Sequence, residues 1–227
     1  MNLTLQEKLY KILIQGGSWK VILGGLWVTI QISALALLFG TLLGALICLL
    51  RTRKNVIIRS IASVYIAILR GTPVLMLLLL LFYGIFARAG MKPVTVAIIT
   101  FSLNVSAHVA ELLRAAMEAT DKGQAEAART LGFSAWDTFR LVTLPQVLRI
   151  AKPVYQSTIT NLIQWTSVVG YVTITDLTRV INNIASRTMQ PLLTIIIGML
   201  IYLALSYIVF GIFAFSDHIE MKKRKTI

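Results

Sequence analysis

The stretch EAARTLGFSAWDTFRLVTLP, residues 126–145, is the polar centre of a long loop between apolar segments. Helix-forming residues dominate positions 118–131, and Gly132 stands where a left-handed residue would close a helix. We therefore expect a helix over 118–131, followed by a sharp turn at Gly132.

A second short helix is predicted directly after this turn. Ser134 and Asp137 have the three-residue spacing of a capping box, so a helix should extend over 135–142. Pro145 is expected to end it, because proline lacks a backbone N–H and disfavours helix in the residue before it. Two helices joined by a fixed turn form a rigid element, which predicts a docking surface on the loop of about 114–149.

The composition of the whole chain excludes a water-soluble globular fold. Of its 227 residues, 57% are hydrophobic and only 14% are charged, whereas a soluble domain usually has about 25% charged residues. A helix needs about 20 apolar residues to cross a membrane, and five uncharged stretches are long enough or nearly so. We therefore predict an all-α integral membrane protein, with residues 1–227 forming a single transmembrane domain. The five predicted transmembrane helices cover about 20–50, 71–88, 93–113, 150–173 and 189–216.

The positive charge is distributed in a way that predicts the orientation of the chain. There are 22 Lys and Arg residues against 9 Asp and Glu residues, a net charge of +13. Fourteen of the basic residues, including Lys222–Lys225, follow the first, third and fifth spans, and seven occupy the alternate segments. Because cytoplasmic loops are rich in Lys and Arg, the amino terminus should lie outside and the carboxyl terminus inside. This alternation also argues against one basic face for nucleic acid.

Three smaller features complete the outline. Residues 3–15 have the spacing of a short amphipathic helix, either at the membrane interface or in an ordinary loop. Ala36, Gly40 and Gly44 form a small-residue stripe that allows close helix packing, either within one subunit or between two. Cys48 is the single cysteine, which excludes a disulfide within the chain and a cysteine-based metal site.

The spacing of the 114–149 loop resembles the EAA loop of ABC importer permeases. The family pattern is EAA, three residues, G, nine residues, then I-x-L-P, and this chain has EAA at 126–128, Gly132 and VTLP at 142–145. The segments RGTP at 70–73, AELLR at 110–114 and LPQ at 144–146 resemble the polar amino acid permeases of the histidine/glutamine/arginine type. The resemblance covers roughly residues 24–213 and implies the type I ABC importer permease fold, with a cytoplasmic coupling-helix loop.

This resemblance implies that the loop couples the membrane helices to a separate ATPase. Glu126 would make a polar contact and orient the helix, Ala127 and Ala128 would allow close docking, and Gly132 would form the turn. On this basis we expect Gly132→Asp to uncouple transport by forcing a side chain into a tight turn. The residues implied in coupling are Glu126, Ala127, Ala128, Gly132, Leu144 and Pro145.

The resemblance also implies the function and the partners. The chain would be the permease subunit of a binding-protein-dependent importer of polar amino acids, or a related small polar solute, in the bacterial cytoplasmic (inner) membrane. Its partners would be two ABC ATPase subunits, a second permease subunit (identical or homologous), a periplasmic or lipid-anchored substrate-binding protein, the amino acid substrate and membrane lipid. The chain has no G-x-x-x-x-G-K-[ST] sequence, so the partner ATPase would use ATP and Mg. This chain is therefore expected to be no enzyme, to bind no cofactor or metal, and to bind no nucleic acid.

Polar residues in the third predicted span are candidates for the transport path, because such groups are costly in a membrane. Asn104 and His108 lie deep in the span on one helical face, where either an interhelical hydrogen bond or a substrate contact is expected. Glu111 and Arg114 continue that face, and we favour a helix-end ion pair over a substrate contact. The family usually has Tyr in place of His108.

The fourth predicted span has a second polar cluster, which is either a substrate contact or interhelical hydrogen bonding. In the family this stretch commonly contains K-D-T-S-L, and here Gln164 and Trp165 replace the charged pair while Thr166 and Ser167 match. An amide and an indole offer hydrogen bonding and a stacking surface, so the substrate could differ from that of typical relatives. The candidate residues are Asn161, Gln164, Trp165, Thr166 and Ser167.

Arg70, Thr72 and Pro73 are candidates for a gate or a structural role. Thr72 is expected to be the N-cap and Pro73 the first residue of the second span, with a short interfacial helix over 55–69 before it. Arg70 would reach the membrane surface by snorkelling, or, by its family match, contact a gate or another subunit.

Two other functions remain open on the sequence alone. His108 and Glu111 could carry protons in an ATP-independent secondary transporter. A membrane scaffold that transports nothing is the third alternative.

Overall fold

The computed structural model describes the backbone of residues 4–225 and the side chains of residues 4–219 and 222. Every regular element in this part of the chain is helical, which confirms the all-α prediction. The side chains of Lys223, Arg224 and Lys225, counted above toward the carboxyl-terminal positive charge, lie outside it. The α-helices are α1 (Leu5–Leu13), α2 (Ser18–Arg51), α3 (Val56–Gly71), α4 (Val74–Leu79), α5 (Pro93–Glu118), α6 (Lys122–Thr130), α7 (Ala135–Thr138), α8 (Leu144–Trp165), α9 (Leu177–Thr188) and α10 (Pro191–Lys225).

Some segments are helical with a different hydrogen-bond register. Gln15–Gly17 and Thr166–Val172 form 3₁₀ turns, and Leu80–Ile85 and Phe139–Thr143 are π-helical. The π-helical segments directly follow α4 and α7. Each widens the helix locally; the helix ends after Ile85 in the first case and continues into α8 in the second.

Apolar helices long enough to cross a membrane are present in the described residues. Three qualify by length and composition: Gln15–Arg51, Pro93–Glu118 and Pro191–Ile219. A fourth is counted if α3 and the segment Val74–Ile85 form one interrupted span. The predicted span 150–173 corresponds to the later part of α8 and the 3₁₀ turn after it, so the five-span arrangement stays a prediction.

The chain divides into two compact units, and α2, α5 and α8 contribute residues to both. The first unit comprises the residues up to Leu37, Pro73–Phe101 and the residues from Ile159 onward. The second unit comprises Leu38–Thr72 and Ser102–Thr158.

The core of the first unit joins α1, the start of α2, and α9. The amphipathic helix predicted near the amino terminus is present as α1, and its capping box pairs Thr4 with Glu7. Its apolar side packs inward, with the Ile12 side chain fully buried. The buried cluster consists of Ile12, Ile22, Leu177, Val180, Ile181 and Ile184.

The second unit depends on close contact between α2 and α5. A Cβ atom built on Gly40 would lie 2.7 Å from Val105 Cβ, and one on Gly44 would lie 2.7 Å from Val109 Cβ. The small-residue stripe therefore serves packing within one chain, because no larger side chain fits between these helices. Helix α3 joins the same unit through a hydrogen bond of 2.7 Å between the Tyr65 and Ser106 hydroxyls.

Candidate functional site

The 114–149 loop folds into two helices with a turn, and their boundaries differ from the predicted ones. Helix α5 continues to Glu118, the chain leaves the helical path at 119–121, and α6 begins at Lys122. The Asp121 carboxylate accepts a hydrogen bond from the Gly123 N–H at 2.9 Å, which caps α6. The predicted helix start at residue 118 is therefore wrong, because the N-cap at Asp121 separates α6 from the end of α5.

The turn after α6 has the predicted left-handed residue, since Gly132 has a φ angle of +87°. The Phe133 N–H donates to the Ala128 carbonyl and the Gly132 N–H donates to the Arg129 carbonyl, both at 3.1 Å. This pair of bonds is the Schellman motif. The Arg129 guanidinium also donates to the Phe133 carbonyl at 2.7 Å, so the turn is fixed from both sides.

The expectation that Gly132→Asp would force a side chain into a space too small for it is wrong. No atom lies within 4 Å of a Cβ built on Gly132, so the turn has room for a side chain. The constraint is the backbone angle, and asparagine and aspartate tolerate left-handed angles better than most residues. A β-branched residue at Gly132 is therefore a sharper test than aspartate.

The second helix has Ser134 as its N-cap, as predicted, and continues beyond the predicted stop. The Ser134 hydroxyl accepts from the Asp137 N–H at 3.0 Å and also bonds the Asp137 carboxylate. After α7 the chain is π-helical, with the Leu144 N–H bonded to the Phe139 carbonyl. Pro145 is the second residue of α8. It does not end the helix, which runs without a break from α7 through the π-helical turn into α8.

The residues implied in coupling occupy different environments in this loop. Glu126 and Ala127 are exposed, Ala128 is buried, Leu144 is half-buried and Pro145 is exposed. In the described residues no cation lies within 4.0 Å of the Glu126 carboxylate. Gln146 donates to Gln124 at 3.0 Å and so joins α8 to α6.

Large apolar side chains on this loop were missed by the sequence analysis. Leu131 is 79% exposed and Trp136 is 65% exposed, and Phe133 and Leu141 are also exposed. Together they form an exposed apolar surface that is unfavourable in water. Their position beside Gly132 and Ser134, the two turn residues, is the signal that could have identified them.

A cluster of ion pairs lies just before this loop, at the ends of α2 and α5. Glu111 accepts from Arg114 at 2.6 Å, which is the helix-end pair favoured above. Arg51 lies 3.6 Å from the other Glu111 oxygen, and Arg114 also pairs with Glu118. The carboxylate of Glu111 thus joins the end of α2 to α5.

Asn104 makes a hydrogen bond that explains its burial. Its side-chain N–H donates to the Leu69 carbonyl at 2.9 Å. That carbonyl would normally accept from the residue four positions later, which is Pro73 and has no N–H. Asn104 therefore replaces a missing helical hydrogen bond, and its part in transport stays a prediction. His108, one turn later on α5, is half-buried.

The expected roles of Thr72 and Pro73 are corrected by the same region. Thr72 is the C-cap of α3, and both its N–H and its hydroxyl donate to the Ile68 carbonyl. Pro73 occupies the N-cap position of α4, with an extended ψ angle of 130°. Pro73 disfavours a helical conformation at Thr72, so Thr72 ends α3 and does not begin α4. Arg70 is exposed in the last turn of α3.

Two adjoining cavities in the first unit receive part of the predicted polar cluster. One has a volume of about 370 Å³ and the other about 420 Å³. Gln164 lines the first, Ser167 lines the second, and Thr178 and Asn182 line both. Thr166 is buried and its hydroxyl donates to the Ile163 carbonyl at 2.6 Å, whereas Asn161 is exposed and Trp165 is half-buried. Asn161, Trp165 and Thr166 are not among the lining residues.

Helix α9 supplies cavity residues that the sequence analysis missed, namely Thr178, Arg179 and Asn182. Arg179 donates to the Gly170 carbonyl at 2.8 Å, and the Thr178 hydroxyl bonds the Tyr202 hydroxyl at 2.8 Å. The buried Asp176 carboxylate caps this helix by accepting from the Thr178 and Arg179 N–H groups at 3.0 and 3.1 Å. Burial raises the pKa of Asp176, and these donors oppose that shift. In the sequence, Asp176 directly precedes apolar residues at three- and four-residue spacing, Leu177, Val180 and Ile181, and this pattern could have predicted the helix.

Comparison with known structures gives the class of the fold. A solved structure titled as an amino acid ABC transporter with histidines matches with a TM-score of 0.82 and 29% identity, covering 96% of this chain and 99% of that chain. The fold is therefore that of the membrane component of an ABC transporter.

Sequence comparison then gives the family. The chain belongs to the family described as binding-protein-dependent transport system inner membrane component, whose model matches residues 21–218. A probable amino-acid ABC transporter permease protein, YckA of Bacillus subtilis (strain 168), is 36% identical and covers 83% of this chain and 84% of its own length. The L-cystine transport system permease protein TcyB of the same organism is 35% identical, covering 86% of this chain and 84% of that protein.

Proposed function

We propose that this chain is the membrane-spanning subunit through which polar amino acids enter the cell, driven by a separate ATPase that docks on the 114–149 loop. The observation that carries the proposal is the exposed apolar surface of Leu131, Phe133 and Trp136 on a rigid helix–turn–helix. The family membership gives the class of protein, and this surface is where movement of the ATPase would be transmitted to the membrane helices.

Rigidity of the loop supports transmission of movement. Bonds from Phe133, Gly132 and Arg129 fix the turn, and the Ser134 cap fixes the start of α7. Exposed Glu126 offers a carboxylate without a cationic neighbour in the described residues, so a partner could supply the cation. ATP and Mg would be bound by the two ATPase subunits, and a second permease subunit and an external substrate-binding protein would complete the importer.

The two cavities support a zwitterionic substrate of amino acid size. Ligand pockets are typically about 300–1,000 Å³ in volume, and both cavities fall in this range. Arg179 would attract a carboxylate, while the oxygens of Gln164, Thr178 and Asn182 would accept hydrogen bonds from an ammonium group. The amino-acid and L-cystine systems named for the relatives have substrates of this chemistry.

Reconstitution tests the ATPase docking. The complete importer in proteoliposomes should take up an amino acid only when ATP is supplied. Leu131→Asp should reduce both the co-purified ATPase and uptake, because a charge would be buried in the contact. Tyr10→Asp, at an exposed apolar position of α1, is the control and should keep both. Uptake driven by a proton gradient without ATP would instead support a secondary transporter.

Matched substitutions on α9 test the cavities. Asn182 lines both cavities, whereas its neighbour Asn183 is exposed and lines neither. Asn182→Ala should raise the KM for uptake about fivefold or more while the complex stays intact, since one hydrogen bond to substrate is lost. Asn183→Ala should leave the KM unchanged. Equal effects of the two changes would contradict the assignment of these cavities.

A further inference from the structure

The connection between α2 and α3 is a basic surface without local acidic residues. Arg51, Arg53, Lys54 and Arg59 fall within nine positions, and the sequence has no Asp or Glu between Glu7 and Glu111. Arg51 lies near Glu111. In the part of the chain that the structure describes, Arg53, Lys54 and Arg59 have no carboxylate within 4.0 Å. Arg53 and Lys54 in the connection and Arg59 in the first turn of α3 are thus left without a counter-charge in the described residues.

Two of these cations, Arg53 and Lys54, line a concave surface. Helix α2 ends at Arg51, and the Asn55 side chain accepts from the Ile57 and Ile58 N–H groups at 2.9 and 3.3 Å to begin α3. An open surface cavity of about 690 Å³ lies at the turn between these helices. Its lining residues are Leu50, Thr52, Arg53, Lys54, Asn55 and Ile58. The cavity therefore combines two cations with two apolar residues, Leu50 and Ile58, and two polar ones, Thr52 and Asn55.

The surroundings of this cavity match a membrane surface. The apolar helix Gln15–Arg51 ends there, so the connection lies where the polar and apolar layers of a bilayer meet. One face of α3 is buried through Ala62, Ile66 and Leu69. The other carries a stripe of exposed apolar residues that starts beside the cavity: Ile57, Ile61, Val64 and Ile68.

We propose that this connection binds the headgroup of an anionic phospholipid, whose acyl chains lie along the exposed stripe of α3. A phosphate would supply the negative charge that Arg53, Lys54 and Arg59 lack, and guanidinium groups bind phosphate oxygens with two parallel hydrogen bonds. The stripe would supply apolar contact for the acyl chains. A soluble anion would bind the cations but would make no contact with the apolar stripe. The cations and the stripe together therefore favour a lipid.

Lipid titration of the full-length chain tests the site. The purified chain, stripped of lipid in detergent, is titrated with phosphatidylglycerol or phosphatidylcholine, and bound lipid is counted by native mass spectrometry. We expect tighter binding of phosphatidylglycerol. The triple variant R53Q/K54Q/R59Q should weaken that binding at least about tenfold, since each cation near a membrane surface contributes about a fivefold factor. The charge-preserving variant R53K/R59K should retain most of it.

A matched variant separates a specific site from general charge. K20Q/R88Q/K92Q removes three exposed cations elsewhere and should keep phosphatidylglycerol binding. Equal binding of the two lipids, or equal losses in both triple variants, would overturn the proposal. It would also be overturned if R53Q/K54Q/R59Q kept its lipid in this titration and lost a protein subunit when the importer is assembled, since the surface would then serve that subunit.

Discussion

At the scale of single residues, Asn104 shows how a polar side chain in an apolar helix can serve the backbone. Pro73 leaves the Leu69 carbonyl without its helical donor, and the Asn104 amide lies 2.9 Å from that oxygen. A buried carbonyl without a partner costs about 1–3 kcal/mol. The bond from the amide N–H therefore offsets part of the cost of placing Asn104 in α5, whose Oδ1 is buried without a hydrogen-bond partner among the described residues.

Replacement of this amide should destabilise the protein measurably. Asn104→Leu keeps the approximate size but removes the donor, so the free energy of unfolding should fall by about 1 kcal/mol. This corresponds to a decrease in Tm of about 2–4 °C, measurable by thermal unfolding in detergent. Asn183→Leu, at an exposed position of α9, is the control. An unchanged Tm for Asn104→Leu would contradict the structural role.

A second residue-scale prediction concerns the contact of α2 with α5. Gly40→Ala should lower the free energy of unfolding by about 1–3 kcal/mol, because its Cβ would lie 2.7 Å from Val105. Gly24→Ala, in the same helix, meets no atom within 4 Å and should be neutral or stabilising. Thermal unfolding of the two variants side by side checks this. Equal Tm values would mean that the helices can separate without cost.

The sequence predicted single residues well where local chemistry decides their conformation. Gly132 and Ser134 were identified because a left-handed angle and an N-cap each favour few residue types. The partner of Asn104 was beyond reach, since it depends on where α3 lies beside α5. Pro73 nevertheless predicts that the carbonyl four residues earlier, that of Leu69, lacks its helical donor, so the acceptor of this hydrogen bond could be identified from the sequence.

At the scale of elements, the turn between α6 and α7 should control coupling through its backbone angle. Gly132→Val should abolish ATP-dependent uptake while membrane insertion persists, because a β-branched residue strongly disfavours a φ angle of +87°. Gly132→Asn should retain most uptake, since asparagine tolerates this region. Uptake by the reconstituted importer distinguishes them, and equal activity of the two variants would exclude a role for the turn angle.

Element boundaries were harder to predict than element types. The sequence indicated two helices in the loop, but it placed the start of the first at residue 118 and a stop at Pro145. In the structure the cap at Asp121 separates α6 from α5, and the second helix continues through Pro145 into α8. Helix α9 was missed because its mixture of polar and apolar residues gives no long apolar run. Its cap at Asp176 becomes evident only when the apolar spacing of Leu177, Val180 and Ile181 is considered with it.

At the scale of the whole molecule, the distribution of positive charge predicts opposite sides for two exposed positions. Cys48 is buried, so a Cys48→Ser background permits single cysteines to be introduced elsewhere. Leu131 and Met189 are both 79% exposed. Leu131→Cys should react with an impermeant maleimide only from the cytoplasmic side, and Met189→Cys only from the outside. Labelling of both positions from one side would contradict the five-span topology.

The composition of the chain excludes a soluble fold, but the number of membrane spans is harder to predict from it. Absence of charge identifies α2, α5 and α10, which are long and apolar in the structure. The absence of charge is a weaker guide for α8, whose first half carries Arg149 and Lys152. It is also a weaker guide for the uncharged segment after Pro73, because that segment follows α3 closely and the two can be counted as one interrupted span. A count based on uncharged runs cannot distinguish one interrupted helix from two.

The π-helical turn at Phe139–Thr143 has a consequence for how this loop could change in evolution. Such a turn is equivalent to an α-helix with one inserted residue. Removing one residue there would restore the α-helical hydrogen-bond pattern and leave α7 and α8 in nearly the same mutual orientation, because the wider turn already absorbs the extra residue. A deletion in the regular part of α8 near its start would instead rotate α7, and Trp136 with it, by about 100° about the helix axis. The π-helical turn is thus a place where the loop could lose one codon and still present its exposed surface in the same direction.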